Sequence, residues 1–330
     1  MEISVIVVCY NEEKNIESCI KSILKNKFIS GKFEIIVVDG DSTDNTINIL
    51  TSLQQKNSNI KIVSVKKRNI SLARQTGVEH ASFDYVAFTD ADCEVPENWL
   101  EILSSGFLKY SPNNKLAGSG GANIPPSFDI KNPMFYKALG IMLNSFVGSR
   151  GSVQGMVLKT DTIVNHIPCV NVFYKKSCIL EAGGFDFKMG NIGEDQDLTF
   201  RLNKTGYQFI YLKDSFVWHK LRNNYKNWAK NMFTYGKGRM WLIKKHPDML
   251  NIFFIAPVFL ILSFLYIPDL KFYYYLPLYY FVFIILYSIF ITGFFRIKIV
   301  MNVIMLFLIT HLCYGLGEIY GLLTNRKADL

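Results

Sequence analysis

The sequence lacks the glycine-rich signatures of the most common nucleotide-binding folds. Its first apolar run continues as Cys-Tyr-Asn-Glu-Glu-Lys-Asn with no G-x-G-x-x-G, and no Walker A pattern occurs. These absences exclude a standard dinucleotide-binding enzyme and a P-loop NTPase. None of the six cysteines forms a C-x-x-C pair, so a zinc site is disfavoured and reduced structural thiols are expected.

Charged side chains are scarce at the C-terminal end of the chain. Residues 251–330 hold five Lys and Arg and three Asp and Glu, whereas residues 1–250 hold 31 and 24. A membrane-spanning helix needs about 20 mostly apolar residues, so we predict a transmembrane region over 251–323. It contains about three apolar stretches, of which the first is short and carries a proline: 252–267, 272–295 and 299–322.

Basic residues accumulate just before these stretches. Residues 213–245 carry nine Lys and Arg and one Asp, and such an excess marks the cytoplasmic side and attracts anionic lipids. The N-terminal MEISVIVVCY has no basic signal-peptide region. We therefore predict basic interfacial helices over 223–250 and a multi-pass cell-membrane protein with its first domain in the cytoplasm. Membrane lipids, and not nucleic acid, account for the net charge of +9.

The N-terminal part alternates between β-branched runs and helical spacing. This pattern predicts a doubly wound α/β domain with a mostly parallel sheet. The predicted strands are 3–9, 33–39, 60–65 and 85–92, and the predicted helices are 11–26, 42–55 and 70–81. Further along, we predict a glycine-rich loop at 118–128, an apolar helix at 133–148 in the core or on the membrane surface, a helix at 193–207 and a strand at 209–220.

Polar side chains follow three of these strands. Ligands of open α/β sheets bind beyond the carboxyl ends of the strands, although each such residue alone is also typical of a turn or cap. Closely spaced carboxylates suit Mg²⁺ or Mn²⁺ bound together with substrate phosphates. The residues at the strand ends are Tyr10, Asn11, Glu12, Asp39, Asp90 and Asp92.

An ordered set of motifs resembles the inverting glycosyltransferases of glycosyltransferase family 2. The motifs are VCYNEEKNI, EIIVVDGDSTDNT, LARQTG, FTDADCEVP, AGGFDF and GEDQDLTFRL. The resemblance implies a Rossmann-like GT-A domain over 1–222 that binds a nucleotide-sugar donor, a UDP- or GDP-sugar. It also implies a divalent metal, Mg²⁺ or Mn²⁺, and a lipid-linked or glycan acceptor.

The resemblance assigns donor and metal roles. Asp39 holds the base or ribose, and Arg74 lies near the base and phosphates, although a solvated helix residue is the alternative for Arg74. Asp90 lies near ribose and metal, and Asp92 binds the metal. A further metal or diphosphate contact is assigned to His219, whose alternative is structural. The first-loop residues that flank the nucleotide are Tyr10 and Glu12, and Asp41 is left open as a ligand or turn residue.

The same resemblance assigns the acceptor side. Asp195 is the catalytic base, and Glu194 beside it orients the acceptor, although an acid at a helix N-terminus is the alternative for both. The turn at Gly183, Gly184 and Phe185 shapes the acceptor pocket.

Two features bear on the substrate. YGKGRMW at 235–241 does not match the Q-x-x-R-W of processive synthases, which favours single transfers. The retained Glu-Asp pair favours a hydroxyl acceptor, such as the sugar of a lipid-linked saccharide. The alternatives are a polyprenyl- or dolichyl-phosphate glycosyltransferase and a non-catalytic membrane scaffold. A sugar nucleotidyltransferase is disfavoured because CYNEEKN is not its glycine-rich basic loop.

Overall fold

The described residues of the computed structural model form two compact units. The described ranges are 1–126, 132–149, 157–220, 224–264 and 275–324. The first unit takes 1–124 and 157–220, and the second takes the described residues from 125 to 149 and from 224 onwards.

One mixed sheet organises the first unit. Its strands are β1 (Glu2–Cys9), β2 (Lys32–Asp39), β3 (Ile60–Ser64), β4 (Tyr85–Asp90), β5 (Cys93–Glu94), β6 (Leu116–Ile124), β7 (Thr162–Val164), β8 (Val172–Lys175) and β9 (Gln208–His219). They run in the order β3-β2-β1-β4-β8-β6-β9-β5, with β7 beside β9. Strands β1 to β4 are mutually parallel, as predicted.

Helices alternate with these strands. They are α1 (Ile16–Leu24), α2 (Thr46–Lys56), α3 (Ile70–His80), α4 (Trp99–Tyr110), α7 (Lys176–Glu181) and α8 (Glu194–Lys204). Helices α1 and α2 begin four or five residues later than predicted. The segment that precedes α1 is bound to the start of α2 instead, because Glu12 N–H donates to Thr46 Oγ1 at 2.8 Å.

The sheet has an apolar core on each face. Ile3, Val5 and Val7 of β1 pack into one core, and Ile6 packs into the other. Because both faces are covered, the strand is a continuous β-branched run and does not alternate with polar residues. The apolar run of β1 in the sequence is therefore the pattern of a parallel strand that is buried on both faces.

The prediction of a loop over 118–128 is wrong for 118–124, which lie in β6. The glycines there serve close strand packing. A Cβ on Gly118 would lie 1.9 Å from Phe173 O, and one on Gly121 would lie 2.0 Å from Ser215 O. Glycine in a strand often marks such close backbone approach.

The second unit is helical. Its helices are α5 (Pro133–Leu143), α6 (Phe146–Ser149), α9 (Tyr225–Lys245), α10 (Ile252–Leu262), α11 (Tyr275–Thr292) and α12 (Ile297–Leu323). Helices α11 and α12 are long and apolar enough to cross a membrane, whereas α10 has 11 residues. The end of the predicted stretch 252–267 lies outside the described residues. Phe135, Leu139 and Met142 of α5 are buried with α12 side chains, which supports the core alternative for this helix.

Candidate active site

Strand register places the predicted residues at one edge of the sheet. Cys9 pairs with Asp39, and Val8 pairs with Asp90 in the parallel ladders on either side of β1. Tyr10, which follows β1 directly, therefore lies between the ends of β2 and β4. This edge is where an open α/β sheet binds its ligands.

Asp39 is locked by the turn that follows it. Its side chain is buried and accepts hydrogen bonds from Ser42 N at 2.9 Å, Ser42 Oγ at 2.5 Å and Cys9 Sγ at 3.5 Å. Asp41 is exposed and has a φ of 69°, a left-handed conformation that Asp tolerates better than most residues. The turn interpretation of Asp41 is thereby supported.

The first loop interlocks with the second. Asn11, at a φ of 53°, donates its N–H to Ser42 Oγ at 2.8 Å, and its Oδ1 accepts from Thr43 N at 2.8 Å. The Glu12 Oε2 accepts from Asn15 Nδ2 at 2.8 Å. These bonds fix the backbone on one side of the crevice before any ligand arrives.

Sequence reasoning missed Arg68. Its guanidinium lies 4.8 Å from the centroid of the Tyr10 ring, a cation–π distance. Arg68 precedes α3 by two residues and ends the basic run Lys66-Lys67-Arg68, which belongs to none of the quoted motifs. The contact places a positive charge against the predicted nucleotide-flanking ring.

Arg74 connects two parts of the site that lie far apart in the sequence. It is 5% exposed, so the solvated-helix alternative is wrong. Its Nη2 donates to Asp90 Oδ1 at 3.0 Å, and its Nη1 donates to Glu194 Oε1. One buried guanidinium therefore joins the end of β4 to the start of α8.

Glu194 and Asp195 are adjacent but differ in environment. Glu194 is 5% exposed and paired with Arg74. Burial raises the pKa of Glu194 to about 7, and the Arg74 guanidinium opposes that rise. Asp195 is partly exposed, and its Oδ1 accepts from Gln196 N at 2.7 Å. Of these two adjacent acidic residues, only Asp195 is partly exposed.

Asp92 and His219, two of the three predicted metal ligands, lie close together. Asp92 Oδ1 lies 3.4 Å from His219 Nε2. Cys93 is the direct partner of His219 in the antiparallel β5–β9 pair, and its Sγ lies 3.8 Å from Asp92 Oδ1. Carboxylates suit Mg²⁺ and Mn²⁺, and imidazole suits divalent transition metals, so the residues fit a divalent cation. The Asp90 Oδ1 faces Arg74.

The predicted acceptor turn is held from two sides. Gly183 and Gly184 have φ values of 82° and 73°, which glycine adopts without strain. Phe185 N donates to Gln75 Oε1 at 2.9 Å. Arg201 Nη2 donates to Gly184 O at 2.7 Å.

The residue that orients Arg201 was also missed. Asp197 is fully buried, and its Oδ2 accepts from Arg201 Nη2 at 2.8 Å and from Nε at 3.0 Å. The four-residue spacing of Asp197 and Arg201 in one helix was the available signal.

Comparison with known proteins shows the family of the chain. The model of the family described as glycosyl transferase family 2 matches residues 4–127. The model described as glycosyl transferase family group 2 matches residues 142–313, which alone are just over half of the chain. The chain is 26% identical over 251 residues to glycosyltransferase AglE of Haloferax volcanii. It is 28% identical over 219 residues to poly-beta-1,6-N-acetyl-D-glucosamine synthase of Staphylococcus aureus.

These matches cover different shares of each protein. The alignment with the Haloferax volcanii protein covers 74% of this chain and 75% of that relative. The alignment with the Staphylococcus aureus synthase covers 66% of this chain but 49% of that relative. The chain thus spans about half the length of the synthase.

A solved structure shares the fold. Mannosyltransferase PcManGT from Pyrobaculum calidifontis, in complex with GDP-Man and Mn²⁺, superimposes with a TM-score of 0.52 at 18% identity. The match covers 73% of this chain and 64% of that protein. The mixed sheet is that of the GT-A fold. The chain is a glycosyltransferase, and it belongs to glycosyl transferase family 2.

Proposed function

We propose that this chain is a metal-dependent inverting glycosyltransferase. It moves a sugar from a nucleotide-diphosphate-sugar to a membrane-associated acceptor, a lipid-linked saccharide, in the assembly of a cell-surface glycan. The observation that carries the proposal is the contrast between Glu194, buried against Arg74, and Asp195, partly exposed at the start of the same helix. A general base has to reach its substrate, and Asp195 meets that requirement.

On the donor side, the residues bind and orient the nucleotide-sugar. Asp39 holds the base or ribose, and Tyr10 and Glu12 flank the nucleotide. Asp92 and His219 would hold a divalent cation, which supplies charge neutralisation of the leaving diphosphate. Arg74 holds Asp90 in place at 3.0 Å. The GDP-Man and Mn²⁺ of the Pyrobaculum calidifontis mannosyltransferase support this donor and metal class.

On the acceptor side, Asp195 takes the proton of the attacking hydroxyl. The oxygen forms a bond to the anomeric carbon from the face opposite the diphosphate, and the bond to the diphosphate breaks. The proton stays on the Asp195 carboxyl, and the nucleoside diphosphate departs. A single displacement of this kind inverts the anomeric centre.

The second unit supports a membrane-associated acceptor. Helix α11 leaves Leu286 and Phe290 62% and 82% exposed, which suits a lipid environment better than water. We further propose that the chain is a multi-pass membrane protein with the first unit in the cytoplasm, where nucleotide-sugars are available.

The test is a transfer assay with the purified full chain, Mn²⁺ and a panel of UDP- and GDP-sugars. Asp195→Asn is expected to lower the transfer rate by a factor of about 100 to 10,000, the usual contribution of a general base. Donor binding should change little. The matched control is Asp161→Asn, which should leave the transfer rate largely unchanged. Asp161 lies in the same unit, but it accepts a hydrogen bond from Tyr110, which is not a predicted site residue.

The acceptor class is decided by the same assay. Polyprenyl phosphate is already an anion and needs little help from a base. If Asp195→Asn still transfers sugar to polyprenyl phosphate, the acceptor is the phosphate and not a hydroxyl group. Two results together would favour the membrane-scaffold alternative. The chain would neither hydrolyse nor transfer any donor, and Asp195→Asn would leave the cellular phenotype unchanged.

A further inference from the structure

Cys93 meets the cation site through sheet pairing. It is the residue directly opposite His219 in the antiparallel β5–β9 pair, and side chains at opposed positions lie on the same face of a sheet. It also follows Asp92 in the chain. One polar ligand atom from each of Asp92, Cys93 and His219 lies within 4.8 Å of the other two.

These spacings match those of ligands around one small cation. Metal–sulfur bonds of about 2.3 Å and metal–nitrogen or metal–oxygen bonds of about 2.0–2.2 Å bring tetrahedral ligand atoms to roughly 3.3–3.8 Å of each other. Asp92 Oδ1 lies 3.4 Å from His219 Nε2, and Cys93 Sγ lies 3.8 Å from Asp92 Oδ1.

Access to the cluster comes from the Asp92 and His219 side. Their side chains are 22% and 17% exposed, whereas Cys93 is 1% exposed and packs in the apolar core. A cation entering past the first two residues would meet the sulfur last. The thiol therefore forms the floor of the cluster.

We propose that the Cys93 sulfur is a third protein ligand of the cation held by Asp92 and His219. This assignment rests on the proposed metal-dependent function and refines it. Binding would release the thiol proton to solvent and form the metal–sulfur bond. Because thiolate and imidazole favour borderline-soft cations over hard ones, the site selects Co²⁺ or Zn²⁺ over Mg²⁺.

The test is a Co²⁺ titration of the full purified chain without donor or acceptor, followed by ultraviolet absorption. Thiolate ligation is expected to give a sulfur-to-cobalt charge-transfer band in wild type, and Cys93→Ser is expected to abolish it. The affinity for Co²⁺ should fall at least about tenfold in Cys93→Ser, since even outer partners of metal ligands contribute that much. The affinity for Mg²⁺, measured by competition, should change less than that for Co²⁺.

Cys19→Ser is the matched control. Cys19 is as buried as Cys93, and its Sγ contacts the Asp90 carbonyl at 3.5 Å, but it does not belong to the cluster of three. Its variant should keep the band. For a check independent of any substitution, X-ray absorption of the Zn²⁺-loaded wild type should show a sulfur neighbour at about 2.3 Å.

Two results would overturn the assignment. One is Co²⁺ bound without the band and Zn²⁺ bound without a sulfur neighbour, and the other is a band that survives in Cys93→Ser. Either result in a chain that transfers sugar removes the sulfur ligand and leaves the proposed function standing. A chain that transfers no sugar with any cation fails the proposed function instead.

Discussion

The two units of the molecule differ in how far their apolar side chains are exposed. In the first, large apolar side chains fill two cores, and exposed exceptions such as Ile29 and Leu108 are scattered. In the second, only 17% of the residues of α11 are buried, against 44% of the most apolar 18 residues of α12. The first unit buries most of its large apolar side chains, whereas the second exposes those of α11, a pattern expected of a helix that faces lipid.

Both units bury charged side chains, and the second buries Glu318 of α12. The first unit buries Asp39, Arg74, Glu194 and Asp197, each with hydrogen-bonding partners. A buried charge is tolerated only with such partners. The comparison can therefore be tested in each unit. One test removes the partner of a buried charge in the first unit, and the other adds a charge to the exposed surface of α11 in the second.

The largest effect is expected for Arg74→Ala. The substitution leaves Glu194 buried without its guanidinium and removes the donor to Asp90. Removing one partner of a buried ion pair typically costs about 3–5 kcal/mol, so the free energy of unfolding should fall by that amount in chemical denaturation of the full chain. Transfer activity should fall with it.

The companion variant Arg74→Met with Glu194→Leu separates charge from shape. Replacing both buried partners by apolar residues is often close to neutral, so the double variant should regain most of the lost stability while staying inactive. A loss below about 1 kcal/mol in Arg74→Ala would mean that the bridge does not stabilise the unit.

The sequence predicts the parallel half of the sheet because β1 and β2 are continuous apolar runs covered on both faces. It fails at β6, since glycine is read as a loop former and the close approach of Phe173 O to Gly118 exists only in three dimensions. It also gives no sign that Glu194 is buried while Asp195 is partly exposed. Their difference arises from Arg74, which lies 120 residues away.

The next effect is expected from adding a charge to each surface. Leu286→Arg, on exposed α11, should disfavour membrane insertion by about 2.5–3.5 kcal/mol if the helix spans a bilayer. The measurement is the fraction of full-length chain that remains in washed membranes. Leu108→Arg is the matched control, because Leu108 is 51% exposed on α4 of the first unit, and its free energy of unfolding should change by less than about 0.5 kcal/mol. Equal retention of both variants would contradict a lipid-facing α11.

The smallest effect tests packing inside the second unit. A Cβ on Gly236 of α9 would lie 1.9 Å from the Tyr314 carbonyl of α12, whereas a Cβ on Gly140 of α5 would have nothing within 4 Å. Overpacking typically costs about 1–3 kcal/mol, so Gly236→Ala should lower the melting temperature in detergent. Gly140→Ala should raise it slightly, because alanine in an open helical position gains about 0.5–1 kcal/mol over glycine. Opposite signs follow only if the close α9–α12 contact persists in the membrane extract. Two shifts of the same sign would show that helix propensity, and not this contact, sets the stability of the second unit.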